Sequence, residues 1–117
     1  MAGRIDIGDY IAAGLKAVGL HSRVISNNIA NMTRPGFRRS DVRFQELLTK
    51  ALEGAGDSEL AEEIYQPRLG PANERGNDVD LDAEIGAMIR NSTKARVYLR
   101  ALAKVYGRIE LAMRDRI

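Results

Sequence analysis

The sequence predicts an all-α fold in which two long terminal helices pair as an antiparallel coiled coil and are joined by an irregular loop region. Two apolar stripes, one near each end of the chain, repeat in alternating steps of four and three residues, which is the spacing of paired helices. Glycine and proline concentrate between residues 34 and 86, so the irregular region lies between the stripes. A chain of 117 residues has room for a single domain, which we assign to residues 1–117.

The first predicted helix covers residues 7–30. Its apolar stripe contains one polar member, Ser22. Gly14 and Gly19 each cost about 1 kcal/mol relative to alanine within a helix, so they either admit a closely packed second helix or simply weaken this one. The full stripe is Ile11, Leu15, Val18, Ser22, Ile25 and Ile29.

The second predicted helix covers residues 80–114 and would be roughly 50 Å long at about 1.5 Å per residue. Acidic residues at its start and arginines at its end suit the helix dipole. Its apolar stripe is Leu81, Ile85, Met88, Ser92, Ala95, Leu99, Leu102, Tyr106, Ile109 and Met113. From the two stripes we expect the helices to pair through Leu15, Val18, Ile25, Ile29, Leu81, Ile85, Leu99, Leu102 and Ile109.

The region between the helices, residues 31–79, begins with a Pro35-Gly36 turn that ends the first helix. An apolar cluster that includes Val42 and Leu47 predicts a short extended stretch leading into a helical turn. The remainder has the composition of a loop with a flexible tip at residues 54–57.

Two paired helices alone bury little surface for each residue that they order. We therefore expect further helix surface to be buried against other copies of the chain, and we expect the isolated monomer to be partly unfolded.

The residues present exclude several classes of chemistry. The chain has no cysteine and a single histidine, His21, which rules out disulfides, thiolate catalysis, histidine triads and multi-histidine metal sites. Asp78, Asp80 and Asp82 imitate the start of a calcium loop, but Ala83 stands where that loop needs glycine. We therefore predict no enzyme activity, no metal and no cofactor. No apolar run approaches the ~20 residues of a membrane span, so we expect no membrane insertion.

A basic ridge is predicted on the second helix. Arg96, Arg100, Lys104 and Arg108 repeat every four residues, whereas the middle of the chain is acidic. The ridge is either a solvated helix face or a strip that contacts acidic loops of neighbouring subunits. The alternative function is a helical nucleic-acid-binding module using this ridge, although the net charge is only +2 and no base-reading motif accompanies it.

Two segments carry a family resemblance. Residues 24–39, VISNNIANMTRPGFRR, and residues 76–84, GNDVDLDAE, resemble the two signatures of the flagellar basal-body rod protein family. Met32-Thr33-Arg34 and Phe37 depart from the commoner residues of the first signature, and the second signature favours the B-type over the C-type proximal rod proteins. The resemblance assigns a junction motif of Asn27, Asn28, Asn31, Pro35, Gly36 and Phe37. It assigns a start motif for the second helix of Asn77, Val79, Asp80, Leu81 and Asp82.

This resemblance implies a structural role with defined partners. Subunits of this family pair their terminal helices and stack side by side in the tube that acts as the axial drive shaft. They leave the cell through the flagellar type III export apparatus without a cleaved signal peptide, and the proximal rod lies in the periplasmic space. The implied partners are other copies of the chain, other proximal rod proteins, the rod-base adaptor FliE and the export gate, with no nucleic acid.

Overall fold

The computed structural model describes residues 5–115, and this part of the chain is mostly helical. The two long helices begin and end within one residue of the predicted bounds. The elements are α1 (Ile7–Ala30), β1 (Asp41–Val42), α2 (Phe44–Leu52), α3 (Asp57–Ala61), β2 (Ile64–Tyr65) and α4 (Leu81–Arg114). In the described part of the chain, no helix combines the length and the apolar character needed to cross a membrane.

Side-chain caps explain where the long helices begin. Before α1, the Asp6 carboxylate accepts a hydrogen bond from the Asp9 N–H at 2.8 Å, and the Asp9 carboxylate accepts one from the Asp6 N–H at 3.3 Å. This reciprocal pair is a capping box. Before α4, the Asp80 carboxylate accepts hydrogen bonds from the N–H groups of Asp82 and Ala83. The start of each helix is therefore fixed locally by the residues that precede it.

α1 and α4 lie side by side, and their contacts run in opposite chain directions. Near the end of α1, Asn28 contacts Glu84 at the start of α4. Further along, the Asn91 side chain donates a 2.9 Å hydrogen bond to the carbonyl oxygen of Val18. Each contact further along α4 is thus made with an earlier residue of α1.

Gly14 allows the two helices to approach closely. A Cβ atom at this position would lie 2.2 Å from the ring of Tyr98 on α4, well inside van der Waals contact. An added Cβ at Gly19, by contrast, would have no atom within 4 Å. Of the two explanations for these glycines, close helix packing therefore applies to Gly14, and Gly19 only weakens the isolated helix.

The face of α4 that contacts α1 differs from the face that the apolar spacing predicts. Of the predicted pairing residues, Val18 and Ile25 are buried, and Leu15, Ile29 and Leu102 are half-buried. Leu81, Ile85, Leu99 and Ile109 are 39%, 43%, 52% and 50% exposed. The prediction that these last four residues pair the helices within one chain is therefore wrong.

The error has a physical cause in two buried polar residues. Glu84 and Asn91 are 0% and 4% exposed, and both lie on the face of α4 that meets α1. Residues 84, 88, 91, 95, 98 and 102 follow the same alternation of four and three as the predicted stripe and share three of its ten members, Met88, Ala95 and Leu102. A search for apolar residues misses this face because the polar members find hydrogen-bond partners in the interface.

The middle of the chain is more ordered than the predicted irregular loop. β1 and β2 pair antiparallel, with Asp41 opposite Tyr65 and Val42 opposite Ile64. α2 and α3 lie between these two strands along the chain. The hydrophobic core lies between this unit and α1, and consists of Ala17, Val24, Val42, Leu47 and Leu60. The predicted extended stretch and helical turn correspond to β1 and α2, whereas α3 and β2 have no counterpart in the prediction.

The elements form a thin slab of 68 × 31 × 17 Å. α1 contacts both α4 and α2, and these two helices also meet, because Lys94 of α4 lies 3.8 Å from the centroid of the Phe44 ring of α2. α3 packs against α2 and reaches α1 through the 3.5 Å ion pair between Asp57 and Lys16. The side of α4 that faces away from α1 and the outer side of α2 remain exposed.

Candidate functional site

The two signature segments meet at the end of the slab where α1 ends and α4 begins. Asn77 is 2% exposed and joins them. Its side-chain amide donates hydrogen bonds to the carbonyl oxygens of Asn31 at 2.9 Å and Arg34 at 2.8 Å, and its Oδ1 atom accepts one from the Val79 N–H at 2.9 Å. One buried side chain therefore satisfies carbonyls at the end of α1 and orders the approach to α4.

A second polar contact crosses from α1 to α4 through a buried carboxylate. Glu84 accepts hydrogen bonds from Asn28 Nδ2 at 3.0 Å and from Arg39 Nε at 2.6 Å. Asn28 is itself 0% exposed, and it pairs with the backbone of Ser40 through both of its side-chain polar atoms, at 2.8 and 2.9 Å. The end of α1, the following strand region and the first turn of α4 are thus linked by one continuous hydrogen-bond network.

The charges of this network are balanced by two arginines from the turn region. Asp78 accepts a 2.6 Å hydrogen bond from the Arg39 N–H and lies 3.6 Å from the Arg38 guanidinium. Partial burial alone would lower the pKa of Arg39, but its hydrogen bond to Glu84 and the charges of Glu84, Asp41 and Asp78 raise that pKa overall. Arg39 therefore remains a cation and provides the partner that a buried Glu84 requires.

The turn between the two segments depends on a pair of glycines. Gly36 and Gly76 have φ angles of 77° and 76°, in the left-handed region that side chains rarely adopt. The Gly36 N–H donates a 2.8 Å hydrogen bond to the Arg75 carbonyl, and a Cβ at Gly76 would lie 3.6 Å from the Gly36 Cα. The Pro-Gly turn after α1 and the loop before α4 therefore contact each other through their backbones.

The remaining motif residues contribute less to this contact. Asn27 is exposed and accepts a 3.2 Å hydrogen bond from the Asn31 side chain, Pro35 is exposed, and Phe37 is half-buried. In the start motif, Val79 is half-buried, Asp82 is exposed and Leu81 is 39% exposed.

Glu84, Arg39, Ser40 and Asp78 were missed as members of the site. Glu84 and Asp78 lie among the acidic residues at the start of the second helix, whose charges suit the helix dipole. Nothing in the sequence distinguishes an exposed acidic residue of this kind from a buried partner of Asn28 and Arg39.

Comparison with known proteins agrees with the two signatures. The flagellar basal body rod protein FlgB of Borreliella burgdorferi is 26% identical over 127 positions, covering 91% of this chain and 94% of that protein. FlgB of Aeromonas hydrophila is 29% identical over 117 positions, covering 79% and 89%. The flagellar basal-body rod protein FlgG of Caulobacter vibrioides is 33% identical over 86 positions, or 74% of this chain. No family model matches the chain.

This chain belongs to the flagellar basal-body rod protein family. It is FlgB-like, since its alignments with the two FlgB proteins cover most of both chains, whereas it spans only 28% of the length of FlgG.

An apolar surface of this rod-family protein lies along one flank of the α1–α4 pair. On α1, Leu15, Ser22 and Ile29 are half-buried along this flank. On α4, the residues of the flank are more exposed. We call this surface the open stripe, and it consists of Leu15, Ser22, Ile29, Leu81, Ile85, Leu99 and Tyr106. Helical spacing at 100° per residue places it on the side of both helices opposite the contact between Lys94 and the Phe44 ring, and therefore opposite α2.

The basic ridge lies on the side of α4 that faces away from α1. Arg96, Arg100, Lys104 and Arg108 are all exposed, and none of them forms an ion pair within residues 5–115. A cationic surface without internal partners is available for contact with another molecule.

His21 lies between α1, α2 and α4, close to the polar network. Its Nε2 atom is 3.6 Å from Asp41, and its ring centroid is 6.4 Å from that of Phe44. Burial lowers the pKa of His21 and the nearby charge of Lys94 lowers it further, which outweighs the opposing charges of Asp41 and Glu84. The neutral imidazole is therefore favoured in the folded protein.

Proposed function

We propose that this protein is a structural subunit of the proximal part of the flagellar rod and that it transmits torque as part of the axial drive shaft. The open stripe is the observation that carries the proposal. A stripe of apolar side chains along two helices is a surface that a third helix can cover. Exposure of these side chains to water is unfavourable, and packing by a neighbouring subunit removes that exposure.

The geometry of the open stripe supports packing by a helix. α1 contributes mainly small or half-buried residues on this flank, including Ser22 and the exposed Gly19, whereas α4 contributes larger exposed ones, including Leu99 and Tyr106. The small residues of α1 beside the larger side chains of α4 form a groove that can accept a helix from an adjoining copy. We propose that the coiled-coil packing of α1 and α4 is completed in this way between subunits.

The hydrogen-bond network of Asn28, Arg39, Asn77 and Glu84 supports the mechanical part of the proposal. Torque acts to shift one helix of a subunit relative to the other. A network of buried charged and polar groups resists such a shift, because displaced partners would leave unpaired polar atoms inside the protein. The subunit would then transmit force as one rigid body and carry out no catalytic step.

The location and partners proposed for this protein follow from its family. We propose that it is a basal-body protein in the periplasmic space, exported by the flagellar type III apparatus without a cleaved signal peptide. Its neighbours would be other copies of itself, other proximal rod proteins, the rod-base adaptor FliE and the export gate.

The experiment that tests this role removes the apolar character of the open stripe without changing charge. We expect Ile85→Gln combined with Leu99→Gln to abolish rod assembly and motility in a strain that lacks the native gene, while the purified variant keeps the helical content of the parent. The matched control is Ile89→Gln with Leu69→Gln, because these residues are 62% and 94% exposed and lie outside both the open stripe and the basic ridge. Normal swimming by the stripe variant, or equal loss in both variants, contradicts the role.

A further inference from the structure

Two separate surfaces of the molecule carry opposite charge. One is the basic ridge of α4, which faces away from α1. The other lies on the α2–α3 segment, where residues 44–63 contain six acidic residues against the single Lys50. Lys50 is already paired with Glu62 and Glu63 at 3.3 and 2.7 Å. This segment therefore keeps a net negative charge after its internal ion pairs are counted.

Helical spacing directs the acidic side chains of α2 outward. Leu47 and Leu48 of α2 are buried against the core, so the opposite side of this helix faces solvent. Glu46 and Glu53 are seven residues apart and lie on that outer side, where they border one shallow depression together with Glu63. Neither Glu46 nor Glu53 forms an ion pair within residues 5–115. Together with the exposed Glu59 of α3, they form what we call the acidic edge.

We propose that the basic ridge of one subunit docks on the acidic edge of a second copy of this chain. The proposal rests on the role as a rod subunit and names the surface and the partner. A contact between two different surfaces is heterologous, so each docked copy leaves one basic and one acidic edge free for the next. Copies are thereby added one after another.

The charges also set the relative height of neighbouring subunits. The ridge begins beside the first half of α1, because Tyr98 lies against Gly14 and its ring centroid is 6.5 Å from that of Tyr10. Glu59 of the acidic edge lies near the middle of α1, because the neighbouring Asp57 is 3.5 Å from Lys16. Docking therefore requires a shift along the helix axis of about one to two helical turns, at about 5.4 Å per turn.

Cysteine cross-linking tests this contact directly, because the parent chain contains no cysteine. Gly107→Cys places a thiol on the ridge, where an added Cβ meets no atom within 4 Å, and Thr49→Cys places one on the acidic edge. We expect the two single variants, mixed at 50 mM salt and oxidised, to form the mixed disulfide about tenfold in excess over either symmetric one. Leu69→Cys, in a loop residue that is 94% exposed, is the control for the acidic-edge variant.

Charge reversal gives the second arm of the test. Changing Arg100 and Lys104 to Glu in the ridge variant should remove the excess of the mixed disulfide. Changing Glu46 and Glu53 to Lys in the partner variant should restore it. Raising the salt to 1 M, where the screening length falls to about 3 Å, should also abolish the preference.

Two outcomes overturn the proposal. The first is a mixed disulfide no more abundant than that formed with Leu69→Cys. The second is binding of duplex or single-stranded nucleic acid that the ridge reversal abolishes, which would assign the ridge to a different class of partner. Either result leaves the rod role standing, because that role is tested separately by neutral changes in the open stripe.

Discussion

Removal of the buried Glu84 carboxylate is the perturbation for which the structure predicts the largest loss of stability at a single residue. The Glu84→Ala variant loses hydrogen bonds to Arg39 at 2.6 Å and to Asn28 at 3.0 Å, and leaves both donors inside the protein. Breaking a buried ion pair by removing one partner typically costs about 3–5 kcal/mol. We expect a value of about 3 kcal/mol, because Arg39 keeps Asp41 at 3.6 Å and Asn28 keeps its hydrogen bond to Ser40.

The loss is measurable as the change in the free energy of unfolding from urea titrations followed by circular dichroism. With a slope of about 1–3 kcal/mol per M urea, a loss of about 3 kcal/mol lowers the urea midpoint by about 1–3 M. Glu110→Ala is the matched control, because Glu110 lies on the same helix and forms a 2.7 Å ion pair with Arg114 in which both side chains are about two thirds exposed. We expect this exposed pair to contribute under about 0.5 kcal/mol. A Glu84→Ala cost below about 1 kcal/mol, or equal to that of the control, would refute the assignment of Glu84 as the buried partner of both side chains.

Three further predictions concern individual side chains. Gly14→Ala should destabilise the protein by about 1–3 kcal/mol, because the Tyr98 ring must move, whereas Gly19→Ala should stabilise it by up to about 1 kcal/mol. Equal effects of the two variants in urea titrations would contradict the close approach at Gly14. Asn77→Ala should lower the free energy of unfolding by about 1–3 kcal/mol, because the carbonyls of Asn31 and Arg34 lose their donor. Asn73→Ala serves as the comparison at a more exposed position of the same loop. A loss of stability at Asn77 no greater than at Asn73 would show that the buried contacts are unimportant. The lowered pKa of His21 means that the folded protein binds a proton at this residue less tightly than the unfolded chain does. The contribution of His21 to stability is therefore complete above the unfolded pKa of about 6.5 and falls as the pH drops from there toward the folded pKa. Urea midpoints of the parent and of His21→Gln, measured at several pH values, should diverge in that window, and parallel curves would count against this role of His21.

The sequence by itself determined the local features of this protein. Alternating apolar steps and the Pro35-Gly36 turn depend on contacts between near neighbours, so they predicted both long helices to within one residue. The two signature segments likewise predicted the family, because they are short continuous stretches. Asn28, Asn31 and Asn77 of the polar junction were named because they lie inside those stretches, whereas Arg39, Asp78 and Glu84 lie there too and were missed.

The tertiary structure alone decided which sides of the helices meet. The spacing of apolar residues indicates that a helix has an apolar stripe. It does not indicate whether that stripe packs against the rest of the same chain or faces outward. Glu84 and Asn91 occupy the inner face of α4, where Asn28 and Arg39 donate hydrogen bonds to Glu84 and the Val18 carbonyl accepts one from Asn91, and these partners are 45 to 73 residues away in the chain. The cost of burying a polar group depends on such distant partners, so no local pattern records it. Leu99 and its neighbours are consequently left on the outer flank.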